Sequence, residues 1–370
     1  MPVKRLPANP SLDHLRHQAK DLLRGHATSD AEVAQRIREF HPRFERASDA
    51  EIFATELKLT DAQLTIARQS GFQSWTQLKA HLAAPTWPER SKLPHHERID
   101  DPVFRRAVDL LDAGDSAALR KYLSEHPKLA RQRVIFEGGN YFRSPSLLEF
   151  AAENPIRHGK LPANIVEIAN VILDAGAEKG AIHETLGLVS TGRVPRECSA
   201  QIPLIDLLCD RGANADAAIV PAASHGEFEA VNALLRRGAR LTLPIAAALG
   251  RMEEFRRLLP DAESRERHLA LAFASQFGHV DIVRSLLDAG EDPGRYNPVG
   301  AHSHSTPLHQ AALAGNFEVV RLLVESGAVL DVKDLLWQRT PADWANHAGH
   351  SDVESYVRAN EREANVKGER

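Results

Sequence analysis

Apolar residues recur at helical spacing in short runs that are separated by glycine. One run places its apolar residues on a single helical face, at Val319, Val320, Leu322 and Leu323. Gly315 stands before this run, where the end of a preceding helix favours a residue that tolerates the left-handed conformation. Thr306 and Pro307 stand where that preceding helix would begin, because threonine caps helices and proline suits the first turn. The pattern predicts two short helices, each with one apolar stripe.

This two-helix pattern occurs three times towards the C-terminus. The three segments begin at Phe273, Thr306 and Thr340. The glycine between the two helices falls at the same point of each segment, with spacings of 37 and 34 residues. Neither helix of such a pair can bury its apolar stripe alone, so successive pairs must stack against one another.

Specific motifs accompany the repeat. The sequence TPLHQAA at residues 306–312 is followed by AGN at 314–316 and by LLVESGA at 322–328. Together these motifs resemble an ankyrin repeat. The resemblance implies an all-α ankyrin-repeat solenoid, made of helix pairs with short β-hairpin fingers along one edge, and protein recognition as its usual activity. It also implies that His309 bonds backbone groups between neighbouring repeats.

Weaker units of the same kind extend the pattern upstream. Their second helices end before the glycines Gly176, Gly212, Gly238 and Gly290. We predict about eight irregular repeats over residues 102–362, followed by a charged tail at 363–370. Because the glycine spacing is uneven, we expect the array to lack fingers in its middle and to have long loops elsewhere.

Residues 1–84 differ from the rest of the chain. They carry apolar helical faces but no repeat, which predicts a small domain of four or five helices. This region resembles the helical leaders of bacterial ankyrin-type proteins. Residues 85–101 contain three prolines and few apolar residues, which predicts a linker.

Composition and charge exclude several classes of protein. The 370 residues carry a formal net charge of -4, which gives no strong field for nucleic acid or an anionic membrane. Two cysteines are too few for a disulfide framework or a four-thiolate zinc site. No apolar run approaches the ~20 residues of a spanning helix, and the N-terminus has no apolar signal region. We therefore expect a cytoplasmic protein with no membrane partner.

The short signatures of common active sites are absent. The sequence has no dinucleotide-binding, phosphate-loop, zinc-protease or nucleophile-elbow motif. Many active sites carry no such signature, so this absence is a modest argument. We predict that the chain is not an enzyme and uses no cofactor or small-molecule substrate.

Three histidines stand close together at residues 302–309. In an extended finger, His302 and His304 would point to the same side and could bind zinc, with His309 or a nearby acid as third ligand. Alternatively, His309 is structural and the other two form a polar finger tip. Tetrahedral zinc needs four ligands and the sequence offers two convincing ones, so we favour the second interpretation.

Aromatic and arginine side chains on loops are candidates for partner binding, because buried aromatics and arginine dominate protein interfaces. The long connection between the first two units carries Tyr141, Phe142 and Arg143. Finger or loop positions further along carry Tyr296, Trp337 and Arg339. Alternatively, the first set folds back to plug the end of the array, and Trp337 covers the apolar seam beneath the last unit.

Arg157 lies in a polar insertion between two helices. With the neighbouring His158 and Lys160 it could grip a phosphate or an acidic peptide. A solvated loop is the alternative, because short charged runs usually face water.

These observations predict a scaffold or regulator that binds a protein on the concave face and fingers of the stack. One alternative is a metal-dependent enzyme or metal sensor that uses His302 and His304. Another is a nucleic-acid-linked regulator, because the helices around Gly71 superficially resemble a helix-turn-helix. A net charge of +2 over residues 1–84 is small for binding DNA, which disfavours that alternative.

Overall fold

The structure, a computed structural model, describes residues 11–45, 47–72, 74–83, 98–134, 144–154 and 156–368. The chain divides into two compact units, residues 1–94 and residues 95–370. Within the described ranges, no helix is both long enough and apolar enough to cross a membrane.

The described part of the first unit is a cluster of short helices. They are α1 (Leu12–Ala27), α2 (Ala31–Phe40), α3 (Asp49–Ala54), α4 (Leu59–Gln69) and α5 (Trp75–Ala83), with a 3₁₀ helix at Pro42–Phe44. Their caps follow the sequence: the Ser11 side chain accepts a hydrogen bond from the His14 N–H, and Asp30 accepts one from the Glu32 N–H. One stripe of each helix enters a shared core, which includes Leu22, Ile37, Ile52, Ile66 and Leu78.

The second unit is a succession of helix pairs. The first two pairs are α6 (Pro102–Asp112) with α7 (Ser116–Glu125), and the 3₁₀ helix Leu147–Ala152 with α8 (Ile165–Asp174). The third has three helices, because α9 (Lys179–Thr191) is followed by the short α10 (Arg193–Glu197) before α11 (Gln201–Asp210). The remaining five pairs are α12 (Ala215–Ser224) with α13 (Phe228–Arg236), α14 (Leu243–Ala248) with α15 (Met252–Leu258), α16 (Ser264–Phe277) with α17 (Val280–Asp288), α18 (Pro307–Ala314) with α19 (Phe317–Glu325), and α20 (Pro341–Ala348) with α21 (Ser351–Gly368). Two more 3₁₀ helices lie at Pro127–Ala130 and Leu259–Asp261.

The pairs stack in two rows. The first helices form an inner row, in which α12, α14, α16, α18 and α20 each pack on the next. The second helices form an outer row, in which α7 packs on α8, α11 on α13 and α19 on α21. Two large apolar clusters fill the space between neighbours, one running from Ile99 to Ala301 and the other from Leu243 to Val357. The prediction of an all-α ankyrin-type solenoid is confirmed.

The fingers are loops and not paired strands. Among the described residues, strand-type pairing is limited to one isolated bridge between Arg133 and Ser146. The connection before α18 is closed by a single backbone hydrogen bond from Asn297 to Ser305, at 2.8 Å. This connection contains two prolines and three glycines, and such residues interrupt a ladder of strand hydrogen bonds. The β-hairpins that the resemblance implied are therefore replaced by turns in this part of the chain.

The middle of the array is irregular because one pair is short. Helix α14 has 6 residues and α15 has 7, whereas the next inner helix, α16, has 14. The end of α16 therefore reaches past α14 to the fourth pair. Gln276 Nε2 donates to the Ser224 carbonyl at 3.0 Å, and the Phe277 ring lies 4.9 Å from that of Phe228.

Gly315 ends α18 in the left-handed region, with φ +70°. A Cβ atom at this position would lie 2.5 Å from Cε1 of His350, which occupies the space beside it. Gly327 ends α19 with φ +87°, but a Cβ atom there would meet nothing within 4 Å. The two glycines share the conformational requirement, and Gly315 has a steric requirement in addition.

We expect Gly315→Ala to lower the free energy of unfolding by more than Gly327→Ala does. Both changes place a side chain in the left-handed region, which costs about 1–2 kcal/mol, and only the first also displaces the His350 ring. Urea denaturation followed by circular dichroism measures the difference. Adding His350→Ala to Gly315→Ala should remove the additional loss of unfolding free energy, because the His350 ring is then no longer in the way. Equal losses for the two glycine variants would contradict this account.

Candidate functional site

Two loops lie side by side at one edge of the array. We call residues 289–306 the first finger and residues 326–340 the second finger. The Tyr296 hydroxyl donates to the Lys333 carbonyl at 2.6 Å, and the Leu335 N–H donates to the His304 carbonyl at 2.8 Å. These bonds join the fingers, so five predicted site residues come together: Tyr296, His302, His304, Trp337 and Arg339.

Asp334 organises the second finger. Its buried carboxylate accepts backbone N–H bonds from Leu336 at 2.9 Å, Trp337 at 2.7 Å and Arg339 at 2.9 Å. It also accepts the indole N–H of Trp344 in α20, at 3.1 Å. Burial opposes ionisation, but the four hydrogen bonds outweigh it and lower the pKa of Asp334 to about 2. The carboxylate is therefore charged at neutral pH and fixes the loop that follows it.

Apolar side chains project from the fingers into solvent. Leu335, Leu336 and Trp337 are 59%, 62% and 61% exposed, and Tyr296 and Val329 are 38% and 46% exposed. We call these five residues the finger patch. They are five of the eleven large apolar side chains that are exposed in the part of the chain that the structure describes. The clustering matters because single exposed apolar residues are ordinary and groups of them mark interaction sites.

The surroundings of Trp337 bear on the two roles that the sequence left open. Its ring lies 5.3 Å from that of His304 and 5.7 Å from that of Trp344, so one face is packed. Most of the side chain is nevertheless exposed. Trp344, and not Trp337, is the tryptophan buried beneath the last pair.

Arg339 is anchored through its backbone. Its N–H donates to Asp334, and its carbonyl accepts from the Asp334 N–H at 2.9 Å and from His309 Nε2 at 3.1 Å. The residue itself is exposed at the edge of the finger patch.

The histidines do not form the extended arrangement that zinc binding would require. His302 has a left-handed φ of 47°, and its Nε2 lies 3.4 Å from the Ser224 carbonyl of α12. His304 lies with its ring perpendicular to that of His302 and 6.0 Å away. Within the described residues, no group of three histidine, cysteine, aspartate or glutamate side chains could hold a metal ion.

His309 connects neighbouring repeats, as the resemblance implies. Its Nδ1 accepts the Thr306 N–H at 3.2 Å, so Nε2 carries the proton and donates to the Arg339 carbonyl of the next repeat. Burial lowers the pKa of His309 below its ordinary value of 6.5. The ring is fully engaged in this structural role.

Arg157 is buried, which corrects the expectation of an exposed anion-binding side chain. Its side chain is 0% exposed and forms two hydrogen bonds to Asp112, at 3.2 and 2.6 Å. Its Nη2 also lies 2.9 Å from the Glu153 carboxylate and donates to the Phe150 carbonyl at 3.0 Å. Arg157 thus fastens the insertion to α6 and is inaccessible to a partner.

One part of the predicted site is untested, and the prediction also left out residues that the structure places there. Tyr141, Phe142 and Arg143 lie outside the described residues, so their role stays a prediction. The sequence reasoning also missed Asp334, Leu335 and Leu336. A signal was present: three consecutive apolar residues, Leu335 to Trp337, in a loop are unusual unless they bind something.

Comparisons with known proteins agree with the fold. A family model described as ankyrin repeats matches residues 243–334 and 271–367. Cyclin-dependent kinase inhibitor 2A of Homo sapiens is 35% identical over 122 residues, which are 32% of this chain and 75% of that protein. Cyclin-dependent kinase 4 inhibitor B of Bos taurus is 33% identical over 118 residues, or 24% of this chain and 89% of that protein. Ankyrin repeat and SAM domain-containing protein 6 of Mus musculus is 30% identical over 98 residues, or 26% of this chain and 11% of that protein.

We expect Arg157→Leu to destabilise the second unit by about 3–5 kcal/mol, because it removes the guanidinium group that pairs with the buried Glu153 carboxylate and the partly buried Asp112 carboxylate. Urea denaturation measures the loss. The matched control is Lys160→Leu in the same insertion, where the side chain is exposed and the change should stay within about 0.5 kcal/mol. Similar losses for both variants would show that Arg157 is not the anchor.

Stability should fall in mild acid because several histidines are buried in their neutral form. Burial lowers the pKa of His268, His302 and His309 below 6.5, so the unfolded chain binds more protons than the folded chain below that pH. The free energy of unfolding should be level above 6.5 and decrease below it. Thermal melts between about pH 7.5 and about pH 5.5 test this.

A pair of variants isolates the contribution of burial. His309→Gln should reduce the pH dependence by the contribution of this one histidine, whereas the same change at the exposed His347 should leave it unaltered. A melting temperature that does not change across this pH range would contradict the assignment.

Proposed function

Because the chain belongs to the ankyrin-repeat family, we propose that it regulates a protein partner by binding it, with the finger patch at the centre of the contact. The observation that carries this proposal is the exposed run Leu335, Leu336 and Trp337, held on a loop whose backbone is fixed by Asp334.

Burial of the finger patch by a partner would contribute favourably to the free energy of binding. Full burial of a large apolar side chain contributes roughly 1.5–3 kcal/mol, and tryptophan is among the residues that most often dominate a protein interface. Ordering a flexible loop would offset part of that gain. Here the hydrogen bonds to Asp334 already hold the loop, so little ordering remains to be done when a partner binds.

Polar groups surround the finger patch. Arg339 and Lys333 are exposed on the second finger, and Asp331 lies on the same loop. A charged rim around an apolar centre is the usual composition of a protein interface. We propose that Arg339 pairs with an acidic side chain of the partner at this rim, where its contribution is small and sensitive to salt.

Binding, and not catalysis, is the activity that the site supports. His309 and Asp334 have their polar atoms committed to structural hydrogen bonds. The Thr306 hydroxyl lies 2.8 Å from His309 Nδ1, but both residues are buried, so a substrate could not reach this pair. The metal-dependent alternative has no support from the ligand geometry, and the nucleic-acid alternative for residues 1–84 stays a prediction.

The names of two relatives suggest which partner to test first. Both are described as inhibitors of cyclin-dependent kinases. A protein kinase is therefore the first class of partner to examine, and we propose that the chain acts on its target by occupying a surface of it.

We expect Leu336→Asp and Trp337→Ser each to weaken partner binding by at least about 30-fold, which corresponds to about 2 kcal/mol. Binding is measured by titration calorimetry, first with a purified cyclin-dependent kinase and then with any protein captured by the full chain. The melting temperature should stay unchanged, because both side chains are mostly exposed.

The matched control is Ile156→Ser, which removes an apolar side chain that is 46% exposed in the distant insertion. It should bind as the unmodified chain does. Undiminished affinity of the two finger variants for a verified partner would reject this surface.

A further inference from the structure

One segment of the first finger turns away from the finger edge and lies against the inner row. Residues 298–302, here called the inner segment, cross to helices α12 and α16. Ala301 is 1% exposed and belongs to the same apolar cluster as Leu269 and Phe273 of α16. His302 reaches the Ser224 carbonyl at the end of α12, 78 residues earlier in the chain.

The shortness of α14 creates the space that the inner segment occupies. The connection before α14 spans only residues 237–242, so no finger projects there. Gly300 lies against the inner helices, and a Cβ atom on it would be 3.2 Å from Cγ1 of Val220 and 3.9 Å from Cδ2 of Leu269. The result is a narrow groove between α12 and α16, which has room for the backbone of the inner segment and for the methyl group of Ala301.

The inner segment is held by few contacts. Arg265 Nη2 donates to the Val299 carbonyl at 2.7 Å, and the His302 bond to Ser224 is long at 3.4 Å. The side chain of Val299 is 75% exposed. His302 has a left-handed backbone that disfavours any residue with a Cβ atom. The other hydrogen bonds of the segment stay within the first finger, from the Ala301 N–H to the Pro298 carbonyl and from Ser305 to the His302 carbonyl. A small buried side chain, two hydrogen bonds to the helices and a strained residue describe a segment that can be displaced.

We propose that the groove between α12 and α16 is a peptide-docking site and that the inner segment is its internal occupant. The external ligand is an extended peptide segment with glycine followed by a small apolar residue, and then a residue that donates a hydrogen bond. These features match Gly300, Ala301 and His302 in turn. The partner segment takes the place of Ala301 when the inner segment leaves.

This site is separate from the finger patch. It uses residues on α12 and α16 and none of the five finger-patch side chains. The two proposals can therefore fail independently.

The test supplies the inner segment as a separate molecule. A fluorescent synthetic peptide of residues 295–305 is titrated into the full chain and into the Ala301→Asp variant, with anisotropy as the readout. The aspartate carboxylate cannot stay in the apolar groove, so the groove should open. We expect the variant to bind the peptide at least about tenfold more tightly than the unmodified chain, in which the tethered segment competes at high effective concentration.

Two controls define the site. The protein variant Val299→Asp alters an exposed side chain of the same segment and should bind the peptide no better than the unmodified chain. A peptide that itself carries Ala301→Asp should not bind the opened variant. A second opened protein, Ala301→Lys, should reproduce the result of Ala301→Asp.

Each outcome of the peptide titration either supports the proposal or overturns it. Selective binding of the peptide to the two opened variants supports the proposal. Equal affinity for all proteins, or no binding by folded opened variants, overturns it. If both opened variants lose their folded circular dichroism spectrum, the inner segment is part of the core and the proposal is also overturned.

Discussion

The second unit depends on contact between successive helix pairs. Each helix is short and has one apolar stripe, so a pair on its own leaves that stripe in water. The stripes of α12, α14, α16, α18 and α20 face one another along the inner row, and the outer helices close the other side. Every other feature is arranged around this stack. Glycines end the helices so that the next pair can approach, and His309 connects one repeat to the backbone of the following one.

Buried charges have a structural role at both ends of this array. Arg157 holds Asp112 and Glu153 near the start, and Asp334 holds the second finger near the end. In each case a side chain inside the protein satisfies the polar groups of a loop that has no regular structure. Each loop therefore follows an irregular path with a buried side chain as partner for part of its backbone. That freedom allows Leu336 and Trp337 to be displayed in solvent on a fixed backbone.

Much of the fold could be predicted because its determinants are local. The TPLH motif, Gly315 and the apolar spacing around Leu322 lie within one repeat and specify that repeat alone. The site was less accessible to sequence reasoning, because its determinants come from distant parts of the chain. The environment of Arg157 depends on Asp112, which precedes it by 45 residues, and nothing in the charged run around Arg157 indicates burial. The path of residues 298–302 depends on the length of α14.

Helices α14 and α16 are the place where the two apolar clusters meet. Ile245 and Ala248 of α14 contribute to the upstream cluster, whereas Leu243 and Ala247 contribute to the downstream one. Because a linear stack has no long-range core, its cooperativity is only as strong as its weakest junction. The short pair would be such a junction on its own, but α16 packs extensively on α14 and also contacts Ser224 and Phe228 of the fourth pair. Helix α16 thus keeps the stack continuous across its shortest pair.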